Sequence, residues 1–146
     1  PFGFRGARVD LEVVKRDMNV IDPFTGLDRP FSYDQEGSFE IDFRHDVPGT
    51  DWAWGANLDH FDQAPYARRF EIGREWEGKV FGSLFIEHKD VLGLTVRARA
   101  NNLLGARDYF RRTVFDGPRP EGAVRFEDYR SRRIGPIFRL TVSGDF

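Results

Sequence analysis

Residues 136–146 read PIFRLTVSGDF, and this stretch decides the fold class. Apolar side chains occupy every second position at Phe138, Leu140 and Val142, and Phe146 keeps the same phase. The positions between them are polar: Arg139, Thr141, Ser143 and Asp145. Because successive side chains of a strand point to opposite faces, the alternation predicts a β-strand with one apolar and one polar face.

The same two-residue period recurs along the chain. It is clear in ARVDLEVVK (7–15), SFEIDFRH (38–45), WAWGANLDH (52–60) and LGLTVRARA (92–100). It is less regular in KVFGSLFIEHK (79–89), where Phe81 and Phe85 lie opposite Leu84 and Ile86. No segment has the period of a helix, so the sequence predicts an all-β fold built as an antiparallel up-and-down meander.

Turn-forming residues divide the chain into about six long strands. Short links at 45–52 and 89–93 alternate with longer polar links at 16–37, 61–67 and 115–123. The strands are predicted near 4–17, 36–46, 52–62, 66–89, 92–115 and 123–146. The last three are longer than the roughly 9–11 residues with which a strand crosses a bilayer. If these strands span a membrane, they are expected to leave it at Trp76, at Asn101 and Asn102, and at Gly135.

Composition limits the function classes. The 146 residues fit one domain, and the chain starts at Pro1 without an initiator methionine, so we interpret it as a portion of a longer protein. The net charge of −2 argues against nucleic-acid binding through bulk positive potential. The sequence has no cysteine and no apolar run of the roughly 20 residues that a membrane helix needs.

The charges on the polar faces indicate a wide barrel. Buried unpaired charges cost several kcal/mol, and a closed barrel of about eight strands has an interior only just filled by side chains. Six strands could not enclose these charges, and their two outer strands would be bare edges, so the chain is predicted to be part of a large transmembrane β-barrel. The inward charges are Arg8, Asp10, Glu12, Glu40, Asp42, Arg44, Arg97, Arg99, Arg139 and Asp145. Trp52 and Trp54 beside one turn, with Trp76 at the other boundary, are interpreted as interfacial aromatic girdles.

Two segments suggest a family. LTVRARANNLLGARDYF (94–110) resembles a segment near the end of TonB-dependent outer-membrane receptors, and FRHDVPGTDWAWGANL (43–58) resembles one of their periplasmic hairpins. The residues that carry the first likeness are Asn101, Asn102, Leu103, Leu104 and Tyr109. The final strand resembles the family's C-terminal assembly signal, which would consist of Phe138, Leu140, Val142 and Phe146.

The resemblance implies that residues 1–146 are the C-terminal portion of a receptor barrel, without its plug and N-terminal strands. Such receptors are 22-stranded and import a scarce ligand, of the siderophore, cobalamin or glycan class, with proton-motive force transmitted by TonB. The expected location is the outer membrane, with the C-terminus facing the periplasm. The expected partners are membrane lipid and lipopolysaccharide, the rest of the barrel and the plug, TonB, and the barrel-assembly machinery.

Two groups of arginines are candidates for binding. Arg107, Arg111, Arg130 and Arg132 lie beyond the predicted membrane segments, where guanidinium groups could bind lipopolysaccharide phosphates. The alternative for them is cross-strand pairing or solvation. Arg97, Arg99 and Arg139 are expected to point into the lumen, towards the plug or a ligand.

The sequence does not favour an enzyme. His45, His60 and His88 fall in three different strands without metal-binding spacing, so no catalytic residue, metal or cofactor is predicted. The alternative to a membrane barrel is a soluble or surface-exposed β-sheet binding module, possibly for carbohydrate, in which Trp52, Trp54 and Trp76 stack on sugar rings. A membrane barrel exposes its apolar stripe, whereas a soluble module buries it under a second layer.

Overall fold

The computed structural model describes residues 5–75 and 79–144, and within these ranges the chain is all-β with no helix. The strands are β1 (Ala7–Lys15), β2 (Asn19–Ile21), β3 (Asp28–Pro30), β4 (Gln35–Asp46), β5 (Trp52–Gln63), β6 (Tyr66–Ala67), β7 (Glu71–Arg74), β8 (Phe81–Val91), β9 (Leu94–Asn101), β10 (Arg107–Asp116), β11 (Ala123–Arg133) and β12 (Ile137–Ser143). The alternating segments of the sequence thus form strands, as predicted.

Six strands form one antiparallel sheet. Its strand order is β1-β4-β5-β8-β9-β12, so the members of this sheet are neighbours in the order in which they occur along the chain. This confirms the predicted antiparallel meander. β1 and β12 are the two edges of this sheet among the described residues.

The remaining strands form two smaller sheets. β11, β10, β7 and β6 make a four-stranded sheet, and β2 pairs with β3 in a hairpin within the link at 16–37. The prediction of continuous strands over 66–89, 92–115 and 123–146 was therefore wrong. Each is interrupted, and the expected exits at Asn101–Asn102 and Gly135 coincide with the breaks after β9 and before β12. Trp76, the third expected exit, lies outside the described residues.

The strand register assigns the two faces of the six-stranded sheet. Residues directly opposite each other in neighbouring strands share a face. One row across all six strands is apolar throughout: Val9, Phe43, Ala56, Leu84, Ala100 and Phe138. The adjacent row lies on the opposite face and consists of Arg8, Arg44, Gly55, Phe85, Arg99 and Arg139. The sheet therefore has one apolar face and one polar face.

Phe85 explains the irregular pattern of 79–89. It lies on the polar face opposite Gly55, and a Cβ atom at Gly55 would be 2.4 Å from the Phe85 ring. The guanidinium of Arg97 lies 4.7 Å from the centre of this ring, and that of Arg44 lies 5.7 Å from it. The ring therefore fills the space above a glycine and supports two cations through their attraction to its face.

Burial in the described residues is unusual, because the buried apolar side chains are few and, apart from Tyr66, small. They are Ala53, Ala64, Tyr66 and Ala106. The buried polar or charged residues are Asp22, Asp34, Ser83, Glu87, Asn102 and Arg119. Large apolar side chains are instead exposed on the six-stranded sheet, so its apolar face is not the core of a two-layer domain.

Candidate functional site

The apolar face of the six-stranded sheet is open from edge to edge. Leu11 is 67% exposed on β1, Leu84 is 51% exposed on β8, and Leu140 is 70% exposed on β12. A groove of about 550 Å³ follows β9 on this face, because Ala98 and Ala100 are small and lie between larger side chains of β8 and β12. A contiguous apolar surface of this extent marks an interaction with a membrane or a protein.

No second layer of the described residues covers this face. In residues 5–75 and 79–144, strands contact mainly their hydrogen-bonded neighbours in the same sheet. One further pair of strands makes only slight contact. Phe39, Ile41, Phe43, Leu94 and Val96, which a soluble sandwich would bury, all remain partly accessible. None of the described residues forms a helix of the length and apolarity needed to span a membrane.

The polar face carries a network of ion pairs centred on Glu87. This side chain is 8% exposed and accepts a hydrogen bond from Arg44 at 2.8 Å. It also accepts one from Arg97 Nε at 2.6 Å. Arg44 also forms an ion pair with Asp46, which in turn pairs with Lys89 at 2.6 Å. Because a buried carboxylate is stable only when its lone pairs are satisfied, Glu87 links β4, β8 and β9 across this face.

The rest of the polar face is divided by charge. On β4 and β5 the Asn57 amide donates to Glu40 at 3.1 Å and to Asp42 at 3.0 Å. On β9 and β12, Arg99 and Arg139 lie directly opposite each other. The register places Arg97, Arg99 and Arg139 on the same face of the sheet. Arg97, however, is paired with Glu87, whereas neither Arg99 nor Arg139 has an ion pair with a described carboxylate.

Aromatic side chains gather at the end of the apolar face near the short links. Trp52 and Trp54 are 46% and 41% exposed, and both lie at the start of β5, directly after the link at 47–51. The indole N–H of Trp54 donates to His45 Nδ1 at 3.0 Å, and Trp52 packs edge-on against His88 with ring centres 4.6 Å apart. Each indole thus combines an exposed apolar ring with a nearby polar partner, as in membrane-interface aromatics.

The family-like segment forms the joint between the two larger sheets. Asn102 is 3% exposed and has φ = 54°, a left-handed conformation that asparagine tolerates better than most residues. Its side-chain oxygen accepts from Ala106 N at 2.8 Å, and its amide donates to the carbonyls of Ala106 at 3.1 Å and Ile134 at 2.6 Å. Asn102 therefore closes the turn after β9 and fixes the chain between β11 and β12.

The other family-like residues surround this joint. Asn101 donates to the Ile137 carbonyl at 3.3 Å, and Leu103 N donates to the Gly82 carbonyl at 2.9 Å. A Cβ atom at Gly82 would be 2.8 Å from Leu104, so the leucine lies directly against the β8 backbone. Tyr109, on β10, lies beyond the joint, with its ring 6.1 Å from that of Tyr129.

The four arginines proposed for lipopolysaccharide binding do not form one cluster. The register places Arg107 and Arg111 on one face of the four-stranded sheet, and Arg130 and Arg132 on the other. Arg107 donates to Ser131 at 2.9 Å, and Arg132 pairs with Asp108 at 2.6 Å. Arg130 binds Asp128 through two hydrogen bonds, which lower the pKa of this carboxyl group. These contacts match the alternative of cross-strand pairing for Arg107 and Arg132.

The proposed assembly signal lies on the edge strand β12. Phe138, Leu140 and Val142 share the apolar face and are 78%, 70% and 54% exposed. Phe146 lies outside the described residues. The three described members thus form an apolar row on a strand whose second side has no hydrogen-bonded neighbour among the described residues.

A buried ion-pair cluster joins the longer links at the other end of the sheet. Asp22, which is 1% exposed, accepts from Arg29 and Arg119, each at 2.9 Å, and from the Phe24 amide at 2.9 Å. Arg119 also donates to the Arg68 carbonyl at 2.7 Å. Burial raises the pKa of Asp22, but the hydrogen bonds from Arg119, Phe24 and Arg29 outweigh it and hold the pKa well below its usual value.

Sequence reasoning missed Asp22, Arg119 and Glu87. Asp22 opens a DPFTG turn and Arg119 sits in a PRP motif, so local sequence indicates turns but not the 97 residues of separation between the partners. The position of Glu87 in the alternating pattern predicts that its side chain lies on the polar face, but it does not predict that the side chain is buried. The three histidines remain dispersed, and the described residues contain no group of three or more acidic or histidine side chains suited to a metal ion.

Comparison with family models, curated proteins and solved structures finds no match for this chain. Functional inference therefore depends on the sheet and its two faces.

Proposed function

We propose that the chain is a wall segment of a transmembrane β-barrel, from the C-terminal end of a TonB-dependent receptor that imports a scarce ligand. The observation that carries the proposal is the six-stranded meander with one uncovered apolar face and one ion-paired polar face. A membrane barrel requires this division, because its outer surface contacts hydrocarbon and its inner surface contacts water.

Strand length and the position of the links support the same proposal. β4, β5 and β8 contain 12, 12 and 11 residues, close to the roughly 9–11 that cross a bilayer. Short links and both described tryptophans lie at one end, and the interlocked longer links lie at the other. Outer-membrane barrels have short periplasmic turns, long outer loops and aromatic girdles. The short-link end would accordingly face the periplasm.

The assignment to TonB-dependent receptors depends on the resemblance of the joint segment and final strand. Transport would involve the barrel as a whole with its plug, and this chain would contribute lumen wall and outer loops. The ligand would be of the siderophore, cobalamin or glycan class, and TonB would supply the energy.

Substitution on opposite faces of β12 tests the membrane assignment. Leu140→Arg places a charge on the apolar face, and we expect it to reduce the free energy of unfolding by about 2–4 kcal/mol if Leu140 lies near the bilayer centre. Thr141→Arg is the matched control on the polar face. Because it adds a like charge opposite Arg97, we expect a cost below about 1 kcal/mol. Urea unfolding in lipid vesicles measures both, and equal losses would exclude a lipid-facing β12.

A sheet-type carbohydrate-binding module is the second candidate, and the exposure of Trp52 and Trp54 favours it. In this case Trp52→Ala would abolish retention on polysaccharide, and the wild-type chain would stay in water without inserting into vesicles. Insertion of the wild-type chain together with unchanged polysaccharide retention by Trp52→Ala would reject the module.

A further inference from the structure

Arg99 lines a cavity on the polar face of the sheet. The cavity has a volume of about 320 Å³ and lies between β5, β8, β9 and the start of β12. Its polar wall contains Ser83, Arg99, Asn57, Asn101 and Asp59. This volume falls within the range of about 300–1,000 Å³ that is usual for small-molecule sites.

The guanidinium of Arg99 is incompletely satisfied. One terminal nitrogen donates to Ser83 Oγ at 2.8 Å, whereas Nε is buried and has no hydrogen-bond partner. Asp59 lines the same cavity but makes no ion pair with Arg99 within 4.0 Å. Buried polar groups are nearly always paired, so this guanidinium nitrogen can donate to an acceptor that enters the cavity.

Arg139 adds a second positive charge next to Arg99. The two residues are directly opposite each other on β9 and β12, and like charges in such positions repel. Arg99 attracts the Asp59 carboxylate through space, but among the described residues neither arginine makes an ion pair with a carboxylate within 4.0 Å. An anion between them would offset the repulsion, as Glu87 does by binding both Arg44 and Arg97 on the same face of the sheet.

The polar wall of the cavity also contains hydrogen-bond acceptors. Asp59 contributes a carboxylate, and Asn57 and Asn101 use their amide nitrogens to bind Glu40, Asp42 and the Ile137 carbonyl, which leaves their amide oxygens as acceptors. These acceptors suit a ligand that carries hydroxyl groups as well as an anionic group.

We propose that Arg99 and Ser83, assisted by the charge of Arg139 on the neighbouring strand, form a binding site for the phosphate or carboxylate of a small hydroxylated molecule, whose hydroxyl groups bind Asp59. The proposal deepens the proposed function, because it names a ligand chemistry for the polar face that would line the lumen. It rests on that function only in requiring this face to be open to water.

Equilibrium dialysis of the full protein in detergent, with labelled glucose 6-phosphate, inorganic phosphate and glucose, tests the site. We expect glucose 6-phosphate to bind more tightly than either of the other two probes. Arg99→Gln should weaken its binding by about 10- to 100-fold, the range expected for hydrogen bonds to a charged group, and Arg139→Gln should weaken it less. Asp59→Asn should weaken glucose 6-phosphate binding and strengthen that of inorganic phosphate, because it removes both an acceptor and a negative charge.

Arg8→Gln is the matched control. Arg8 belongs to the same row of the polar face as Arg99, but it lies on β1, the other edge strand, where it pairs with Asp10 at 2.7 Å. Unchanged affinity in Arg99→Gln, or an equal loss in Arg8→Gln, would overturn the site. If Arg99→Gln does not fold, Arg99→Lys and Arg139→Gln decide, and wild-type affinity in both overturns it. Vesicle insertion of the wild-type protein without glucose 6-phosphate binding rejects the site and leaves the barrel function standing, whereas failure of the wild type to insert rejects the barrel function.

Discussion

Asn102 is a central residue of the joint between the two larger sheets. Its backbone adopts a left-handed conformation, and its buried side chain makes three hydrogen bonds to the main chain on both sides of the joint. Most residues would be strained in this conformation, and most side chains could not both donate and accept there. The asparagine pair of the family-like segment thus has a structural role.

We expect Asn102→Ala to lower the free energy of unfolding by about 2–4 kcal/mol. The substitution leaves buried carbonyl and amide groups of Ala106 and Ile134 unpaired, at about 1–3 kcal/mol each, and adds strain at a positive φ. Denaturant unfolding measures the loss. Asn101→Ala removes one bond of 3.3 Å and should cost about 1 kcal/mol or less. A smaller loss in Asn102→Ala than in Asn101→Ala would contradict this role.

At the level of elements, the link between β1 and β4 and the link between β10 and β11 are held together by Asp22. The β2–β3 hairpin supplies Asp22 and Arg29, and the link after β10 supplies Arg119. Ser32 of the first link also accepts from the Ala67 amide at 3.1 Å. The links therefore form one connected unit above the sheet.

We expect this unit to loosen as the pH falls below about 4, the usual pKa of an aspartate. The folded pKa of Asp22 is lower than its unfolded value, so its stabilisation is fully present above the unfolded pKa and is lost as the pH falls through the folded one. Hydrogen exchange of the amides in 19–30 and 117–122 measures the opening. Asp22→Asn should expose these amides even at pH 7 while leaving those of β5 and β8 protected.

A control for this behaviour is Asp128→Asn, which disrupts the ion pairs of Asp128 with Arg130 at 2.6 Å and with Arg112 at 3.4 Å in the four-stranded sheet. Neither pair includes a residue of the Asp22 cluster, so the effect on exchange in 19–30 should be negligible. Equal protection of these amides in wild-type protein and Asp22→Asn at pH 7 would refute the role of the buried cluster.

For the whole molecule, the two sheet faces and the tryptophans predict an orientation in the bilayer. Trp52 and Trp54 lie at the short-link end of the apolar face, and the interlocked links lie at the opposite end. A membrane-spanning chain would therefore place both indoles at one interface, while the middle of its strands contacts hydrocarbon.

Fluorescence quenching by brominated lipids measures this arrangement. In the Trp76→Phe background, bromine near the headgroup should quench Trp52 and Trp54 more strongly than bromine near the bilayer centre. Moving an indole to mid-strand with Leu84→Trp should reverse this order for the added signal, since Leu84 is central in the apolar row and 51% exposed. Deep quenching of Trp52 and Trp54, or none, would reject the orientation.

The extent to which the sequence predicts this structure differs between elements. Strict alternation predicted β1, β4 and β5 to within a few residues, because each side chain of a strand is assigned to a face by its position alone. Alternation failed to separate β7 from β8 and β9 from β10, because the two-residue pattern of side chains does not show where a strand is interrupted. Phe85 also departed from the pattern, because its place over Gly55 depends on a neighbouring strand.

The sequence by itself determined the all-β class, the antiparallel order and the two faces, since these follow from the two-residue period and from short links. Only the tertiary structure decided that Glu87 joins two arginines, that Asp22 binds Arg119, and that Arg99 makes no close ion pair with a described carboxylate. The physical reason is that ion pairing depends on distances between side chains from separate strands and links, which register and loop packing set and local sequence does not encode.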